Sequence, residues 1–294
     1  MHYIFIINGR RDYAHIGDDL KAQLAELNFK YTLYETTGVG DATRYTRIYC
    51  DLHRDEEVCF VACGGSGTTN EVASGIVGET NKSMAVLAYG ATNDLLKSLP
   101  ERNFRSVKQL LQGEEMALDI LKVNDNYALN VCNFGFDSIV AYEANYQSER
   151  GVANPYQRGI LLALLGARFN RIKVVADGKP LNKWMIFSCA LANGRYVGGQ
   201  FHCAPKAEVN DGEIDICLIR PMTLLSFIRT YPYYVRGEHV QPRFSRKIYY
   251  GRARHVEVHS RNMIYMVLDG ELLPGSDFTI DIIPKAVRFV LPAE

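Results

Sequence analysis

Four short segments of this chain carry residue types suited to holding a phosphate. They are Asn8-Gly9-Arg10-Arg11, Thr36-Thr37-Gly38-Val39-Gly40-Asp41, Gly64-Gly65-Ser66-Gly67-Thr68-Thr69-Asn70-Glu71 and Tyr89-Gly90-Ala91-Thr92-Asn93-Asp94. Glycine lets backbone N–H groups come close to an anion. Where such a loop runs directly into a helix, the helix N-terminus adds unpaired N–H groups and the positive end of its dipole. Arg10 and Arg11 would add guanidinium groups, which grip phosphate with two parallel hydrogen bonds. Taken alone, Gly64, Gly65 and Gly67 fit a tight strand-to-helix turn equally well. Several such loops on one edge favour phosphate binding. There is no GxxxxGK[ST], and no GxGxxG follows the first apolar run, so neither a P-loop nor a Rossmann fingerprint is present. Near the C-terminus, Asp269-Gly270 is by itself a hairpin-turn signal.

The elements that must position these loops can be read from hydrophobic period. Over the first 120 or so residues, strand-length apolar runs (Tyr3–Ile7, Tyr31–Tyr34, Val58–Ala62, Met84–Ala88) alternate with helical patterns such as Ile16, Leu20, Leu24, Leu27. That rhythm means βαβ units and a parallel sheet, whose ligands bind beyond the carboxyl ends of the strands. The four loops occupy such ends. From about residue 124 the rhythm changes to strands, two of them cleanly alternating (Ile214/Ile216/Leu218 and Phe278/Ile280/Ile282). Helical patterns are few there: Ile160–Phe169, and Leu224–Tyr231 with a stop at Pro232. The division is a nucleotide-binding α/β domain over 1–123, with room for about 285–294 to return to it, and a β-rich domain over 124–284.

Composition narrows the classes. The 294 residues are 47% hydrophobic and 22% charged, and 33 Lys+Arg balance 33 Asp+Glu. Disorder and low complexity are excluded, and a dedicated nucleic-acid binder, usually basic, is disfavoured. Residues 1–123 nevertheless hold 13 basic against 17 acidic side chains, while 229–254 hold seven against one, with five tyrosines interleaved. Such a tract is either a solvated face or one suited to an anionic membrane surface. The seven cysteines form no CxxC pair, the N-terminus lacks a signal-peptide pattern, and the longest apolar stretch is far below the ~20 residues of a spanning helix. These features predict a cytoplasmic protein.

Gly64-Gly65-Ser66-Gly67-Thr68 with Asn70-Glu71 resembles the GGDGT-x-NE nucleotide loop of the diacylglycerol kinase/sphingosine kinase-like lipid kinases. The resemblance continues in order through Gly90-Ala91-Thr92-Asn93-Asp94 (GTxND) and Asn193-Gly194 with Gly198-Gly199. It runs on through Ala204-Pro205-Lys206-Ala207 with Asn210-Asp211-Gly212, then Arg236-Gly237-Glu238-His239 and Asp269-Gly270-Glu271. NAD kinases share the first motif; the later ones favour the lipid kinases.

This resemblance implies an α/β nucleotide domain followed by a mainly antiparallel β-sandwich domain, with ATP in the interdomain cleft. It places nucleotide contacts at Thr36, Gly64, Gly65, Ser66, Gly67, Thr68, Thr69, Asn70 and Glu71, and at Ala91, Asn93 and Asp94. It places the general base at Glu271, with Asp269 second, to take the proton of a lipid hydroxyl attacking the γ-phosphate. Asp211 matches a structural Mg²⁺ position that the backbone carbonyls of Glu208 and Glu213 would complete. The implied activity is ATP- and Mg²⁺-dependent phosphorylation of diacylglycerol or a related lipid. A peripheral contact with the inner face of the membrane goes with it, and a homodimer is compatible with it.

The chain departs from the family pattern at the nucleotide. Ser66 stands where the family has aspartate, Ala91 where it has threonine, and Ala88 where a proline is usual. Arg10 and Arg11 either replace the lost metal charge at the phosphates or are solvated loop residues. Asp94 and Asp119 are retained. Two other readings therefore stand beside the kinase: an impaired member that binds nucleotide or lipid and acts by regulation, and an NAD-kinase-like enzyme with a soluble substrate.

Overall fold

The computed structural model describes residues 1–9, 16–90, 92–150, 152, 158, 159, 162, 163, 170–183 and 185–294. The chain forms two units, residues 1–120 with 284–294, and residues 121–283.

In the first unit strands and helices alternate. The order is β1 (His2–Ile7), α1 (Ile16–Ala25), β2 (Tyr31–Glu35), α2 (Asp41–Leu52), β3 (Val58–Gly64), α3 (Ser66–Ile76), β4 (Lys82–Ala88), α4 (Val107–Leu111) and β5 (Glu114–Val123), which ends in the second unit. β1 pairs in parallel with β2 and with β3, β3 pairs with β4, and Phe289 near the chain's end pairs in parallel with Met84. Every residue of β3 is buried. A strand covered on both faces needs no polar side, which is why these runs read as continuously apolar. α1 brings Ile16, Leu20 and Leu24, one helical face, onto Phe5, Val61 and Leu87. The chain order 2-1-3-4 puts a switch point between β1 and β3, whose connections leave in opposite directions, and opens a crevice at their carboxyl ends.

Two close approaches hold α2 in this unit. A Cβ on Gly75 of α3 would lie 1.6 Å from Thr46 Oγ1 of α2, so only glycine permits the contact. Lys82 is fully buried. Its ammonium donates to the carbonyls of His53, Arg54 and Glu56 at 2.7–3.2 Å and to Asn81 Oδ1 at 2.8 Å. A buried charge is tolerable here because the chain leaving α2 surrounds it with acceptors.

The second unit continues with β6 (Asn126–Ala128), β7 (Val131–Gly135), α5 (Phe136–Glu149), β8 (Asn170–Ala176), β9 (Lys179–Pro180), β10 (Met185–Ile186), β11 (Ser188–Ala192) and β12 (Ile214–Ile219). It closes with α6 (Leu224–Val235), β13 (Ile248–Ala253), β14 (His255–Leu268) and β15 (Glu271–Leu291), whose end belongs to the first unit. Neighbouring strands β13-β12-β11-β7-β14 run antiparallel. β12 sends Ile214, Ile216 and Leu218 into one apolar cluster and Cys217 and Ile219 into another, so this sheet is covered on both faces.

Helix α6 runs on through Pro232 to Val235 rather than stopping there. Proline removes one N–H, the partner of the Ile228 carbonyl. Both residues are exposed, so water can serve that carbonyl, while Phe227 and Tyr234 on the inner face pack against the core. Tertiary packing outweighs the local penalty. The apolar stretch Ile160–Phe169 lies almost wholly outside the described residues. No helix among the described residues is long and apolar enough to cross a membrane. All seven cysteines are buried free thiols.

Candidate functional site

The loops predicted to hold phosphate meet at the carboxyl edge of the first unit's sheet. Asn8 follows β1 and donates from Nδ2 to Thr68 Oγ1 at 3.0 Å. Thr36 follows β2; its N–H donates to the Ile7 carbonyl at 2.9 Å and its Oγ1 accepts from the Gly9 N–H at 3.1 Å. The Gly90 N–H donates to the Gly64 carbonyl at 2.9 Å. A Cβ on Gly90 would lie 2.2 Å from the Gly65 Cα, so the two loops touch backbone to backbone. Sequence spacing placed these loops on one edge; glycine at 90 lets two of them close on one another.

α3 begins at Ser66, directly after Gly65, and no side chain caps it. The Thr69 N–H and Oγ1 both donate to the Gly65 carbonyl at 3.0 Å. Gly67 has open space where its Cβ would be. Thr68, Thr69 and Asn70 are buried, which sets the first turn rigidly. The first N–H groups of a helix lack intrahelical acceptors.

Ser66 binds loop to loop. Its N–H and its hydroxyl both donate to the Thr92 carbonyl, at 3.0 and 3.3 Å, and its oxygen accepts from the Asp94 N–H at 3.4 Å. Asp94 is buried and pairs with Lys97 at 2.8 Å, one helical turn on. The spacing Asp94-x-x-Lys97 was the available signal for that cation. Asn93 Oδ1 is buried with no hydrogen-bond partner among the described residues, an orphaned polar atom at the rim of the cradle. Arg10 and Ala91 lie outside the described residues.

Glu71 has a different occupation. Its two carboxylate oxygens accept from the Gly40 and Ala42 N–H groups, each at 3.0 Å, and so cap α2. Gly40 has φ +80. Asp41 accepts from the Thr37 N–H, the Thr37 and Tyr34 hydroxyls and Arg44. The Thr37 N–H, then Arg44, hold its carboxyl well below the usual range. Both acids shape the second loop from within.

In the second unit, Asp269 (φ 47) and Gly270 (φ 102) form the two-residue turn between β14 and β15, the left-handed pair that a type I′ hairpin requires. The Asp269 carboxylate accepts from the N–H groups of Leu129, Asn130 and Val131 at 2.8–2.9 Å. Asn193 fastens the same segment, donating from Nδ2 to the Leu129 carbonyl at 2.8 Å. Motifs 76 residues apart thus converge on one turn. Glu271, the first residue of β15, is half-buried.

The acidic turn at Asp211 is organised around a cation that the chain itself supplies. Arg252 of β13 pairs with Asp211 at 3.2 Å, Glu213 at 3.3 Å and Asp215 at 3.4 Å, and donates to the Lys206 carbonyl at 2.7 Å. Asp211 Oδ1 also accepts from the Glu213 N–H at 3.0 Å, and Tyr250 donates to Asp215 at 2.7 Å. Burial pushes the Asp215 carboxyl up, against the pull of Tyr250 and Arg252. Among the described residues no group of three or more His, Cys, Asp or Glu is placed to hold a metal ion. Arg252 stands beside Asp211, to which the resemblance assigns Mg²⁺ with the carbonyls of Glu208 and Glu213, and its single positive charge offsets one of the three carboxylates it touches. Nothing in the local sequence at 208–213 signals Arg252, which arrives from a later strand.

Two family models match the chain. Residues 2–123 match the diacylglycerol kinase catalytic domain, and residues 130–291 match the YegS C-terminal NAD kinase beta sandwich-like domain. The diacylglycerol kinase of Bacillus subtilis (strain 168) is 28% identical over 290 residues, covering 95% of this chain and 91% of its own length. A "probable lipid kinase YegS-like" of Yersinia enterocolitica is 27% identical, covering 99% and 97%. A crystal structure of a diacylglycerol kinase from Bacillus anthracis str. Sterne superposes with a TM-score of 0.73 at 18% identity, over 98% of this chain and 96% of that one. That likeness establishes the common fold.

Proposed function

Because this chain belongs to the family that joins a diacylglycerol kinase catalytic domain to a YegS-type C-terminal domain, we propose that it is an ATP-dependent lipid kinase. It transfers the γ-phosphoryl group of ATP to the hydroxyl of diacylglycerol or a related lipid. The observation that carries this reading is the pairing of those two domains, in that order, along nearly the whole chain. The rim of the cradle supports it: the open first turn of α3 suits phosphate, and the orphaned Asn93 Oδ1 is an acceptor suited to a donor group of the nucleotide.

In the reaction, the lipid oxygen bonds to the γ-phosphorus as the bond to the bridging oxygen breaks and ADP leaves. We assign Glu271 to take the hydroxyl proton, with Asp269 holding the turn that presents it. Gly65–Asn70 orient the phosphates, Asn93 contacts the nucleotide, and Arg10 of the first loop is the cationic candidate in the sequence. A Mg²⁺ ion, when bound, offsets triphosphate charge. Asp94, which already carries Lys97, is the carboxylate we assign to it, and Ser66 would add no charge there. The enzyme works at the cytoplasmic face of the membrane, where its thiols stay reduced.

One observation favours a second reading, nucleotide or lipid binding without turnover: the Ser66 hydroxyl is engaged with Thr92 and Asp94 and supplies no charge. Transfer of labelled γ-phosphate to diacylglycerol separates the two. The kinase reading expects transfer by the unaltered protein, and no transfer to NAD. Absence of transfer from the parent together with its appearance in Ser66→Asp would establish the second reading.

A further inference from the structure

Helix α6 turns an unusual face outward. Phe227, Thr230 and Tyr234 point inward, with Phe227 and Tyr234 against the core cluster and Thr230 buried. The opposite face, at helical spacing, consists of Leu225, Ile228, Arg229, Pro232 and Arg236, and all five are exposed. Leu225 is 58% and Ile228 57% exposed. A helix facing water normally carries charged and polar residues outward. This one contains a single charged residue, Arg229, and no acid among its twelve.

The chain that follows adds positive charge. Arg243, Arg246 and Lys247 are all exposed, and the acid of this tract, Glu238, is spent on Arg236 at 3.0 Å. Arg243 lies 4.4 Å over the Tyr233 ring, which fixes the guanidinium next to the helix. Apolar side chains backed by tyrosine and edged by unopposed cations make the composition of an interfacial helix.

We infer that the outward face of α6, with the basic segment 243–247, docks on the surface of an anionic bilayer. The inference rests on the lipid kinase reading for its purpose: a long-chain diacylglycerol stays in its bilayer, so the kinase must meet the surface that holds it. Leu225 and Ile228 enter the acyl boundary, and Arg229, Arg246 and Lys247 meet lipid phosphates. A second copy of the chain is the rival occupant. It is disfavoured because two copies of this face would oppose cation to cation.

Co-sedimentation of the full chain with vesicles tests this, comparing phosphatidylcholine alone with phosphatidylcholine containing phosphatidylglycerol. The parent is expected to bind the anionic vesicles and to release from them at high salt. Leu225→Asp/Ile228→Asp is expected to lower partitioning at least tenfold. Arg229→Glu/Arg246→Glu is expected to lower it more than tenfold, since each basic residue near such a surface contributes about fivefold in affinity. All four positions are exposed, and unchanged thermal melting of both variants is the control for folding. Parent-like partitioning in both variants overturns the inference. So does a parent dimer in solution that the Leu225/Ile228 variant dissociates. Phosphate transfer to a short-chain, water-soluble diacylglycerol isolates the premise. If the parent phosphorylates neither soluble nor vesicle lipid yet the binding losses appear, the kinase reading fails and the docking face stands. If transfer persists and no variant alters binding, the docking face fails alone.

Discussion

Asp269 and Glu271 stand two residues apart, and the roles proposed for them differ. Asp269 accepts three backbone N–H groups from Leu129, Asn130 and Val131, so its oxygens are committed to holding that turn. Replacing it with alanine strands those donors at roughly 1–3 kcal/mol each where water cannot reach them. Asp269→Ala is therefore expected to cost about 3 kcal/mol or more in urea unfolding. Glu271→Gln keeps size and hydrogen-bonding capacity and removes the basicity. Its unfolding midpoint is expected to stay at the parent's, while transfer to lipid falls at least ~10²-fold, the usual scale of a general base. A Glu271→Gln enzyme at full activity would remove the assigned base. An Asp269→Ala protein of parental stability would return Asp269 to the catalytic candidates.

The turn at 206–215 and strand β13 form the element in which a guanidinium holds three carboxylates. Asp215 is buried and Arg252 partly exposed. Removing the cation is thus expected to cost about 2 kcal/mol, less than the ~3–5 of a fully buried pair. Arg252→Met should also become sensitive to divalent cations: millimolar Ca²⁺ or Mg²⁺ raises its melting temperature and leaves the parent's unchanged. Burial raises the carboxyls of Asp211 and Asp215. The folded state therefore takes up protons there more readily than the unfolded chain, and the variant regains stability as pH falls from 7 towards 5. A parent stabilised by Mg²⁺ without nucleotide, or a variant indifferent to cations, would dismiss this account. The same element shows where sequence reasoning ends. Strand runs, the helix of α3 and the edge on which the loops meet follow from local period and glycine spacing. The employment of Glu71 as a cap for α2, of Ser66 as a tie to Thr92 and of Arg252 as a counterion depends on contacts between segments far apart in the chain. The course of α6 through Pro232 likewise depends on its inward aromatics.

At the scale of the whole chain, the first unit is not contiguous. Residues 284–294 belong to it. Within that unit Phe289 is fully buried, and Val287, Val290 and Leu291 nearly so. The Lys285 N–H donates to buried Asp119 at 2.7 Å, and Arg288 pairs with Glu115 at 2.8 Å and donates to the Thr80 carbonyl at 2.6 Å. Gly113 comes so close to the Leu291 carbonyl that a Cβ there would lie 2.1 Å from it. The first unit's sheet is therefore completed only when residues 284–294 are in place, and β4 has Phe289 as its partner opposite β3. The cradle hangs from β3 and β4, so the C-terminus should govern nucleotide binding without touching nucleotide. Phe289→Ala is expected to cost about 3–5 kcal/mol, the range for emptying a buried phenylalanine site. A chain ending at Ile283 should lose amide-exchange protection in β3 and β4 and fail to bind an ATP analogue. Protection in β11 and β12, which rest on the second unit's own apolar clusters, should remain. Exchange lost equally from all four strands would mean that the chain unfolds as one cooperative body. Parental protection in the truncated chain would mean that the first unit is complete without its last strand.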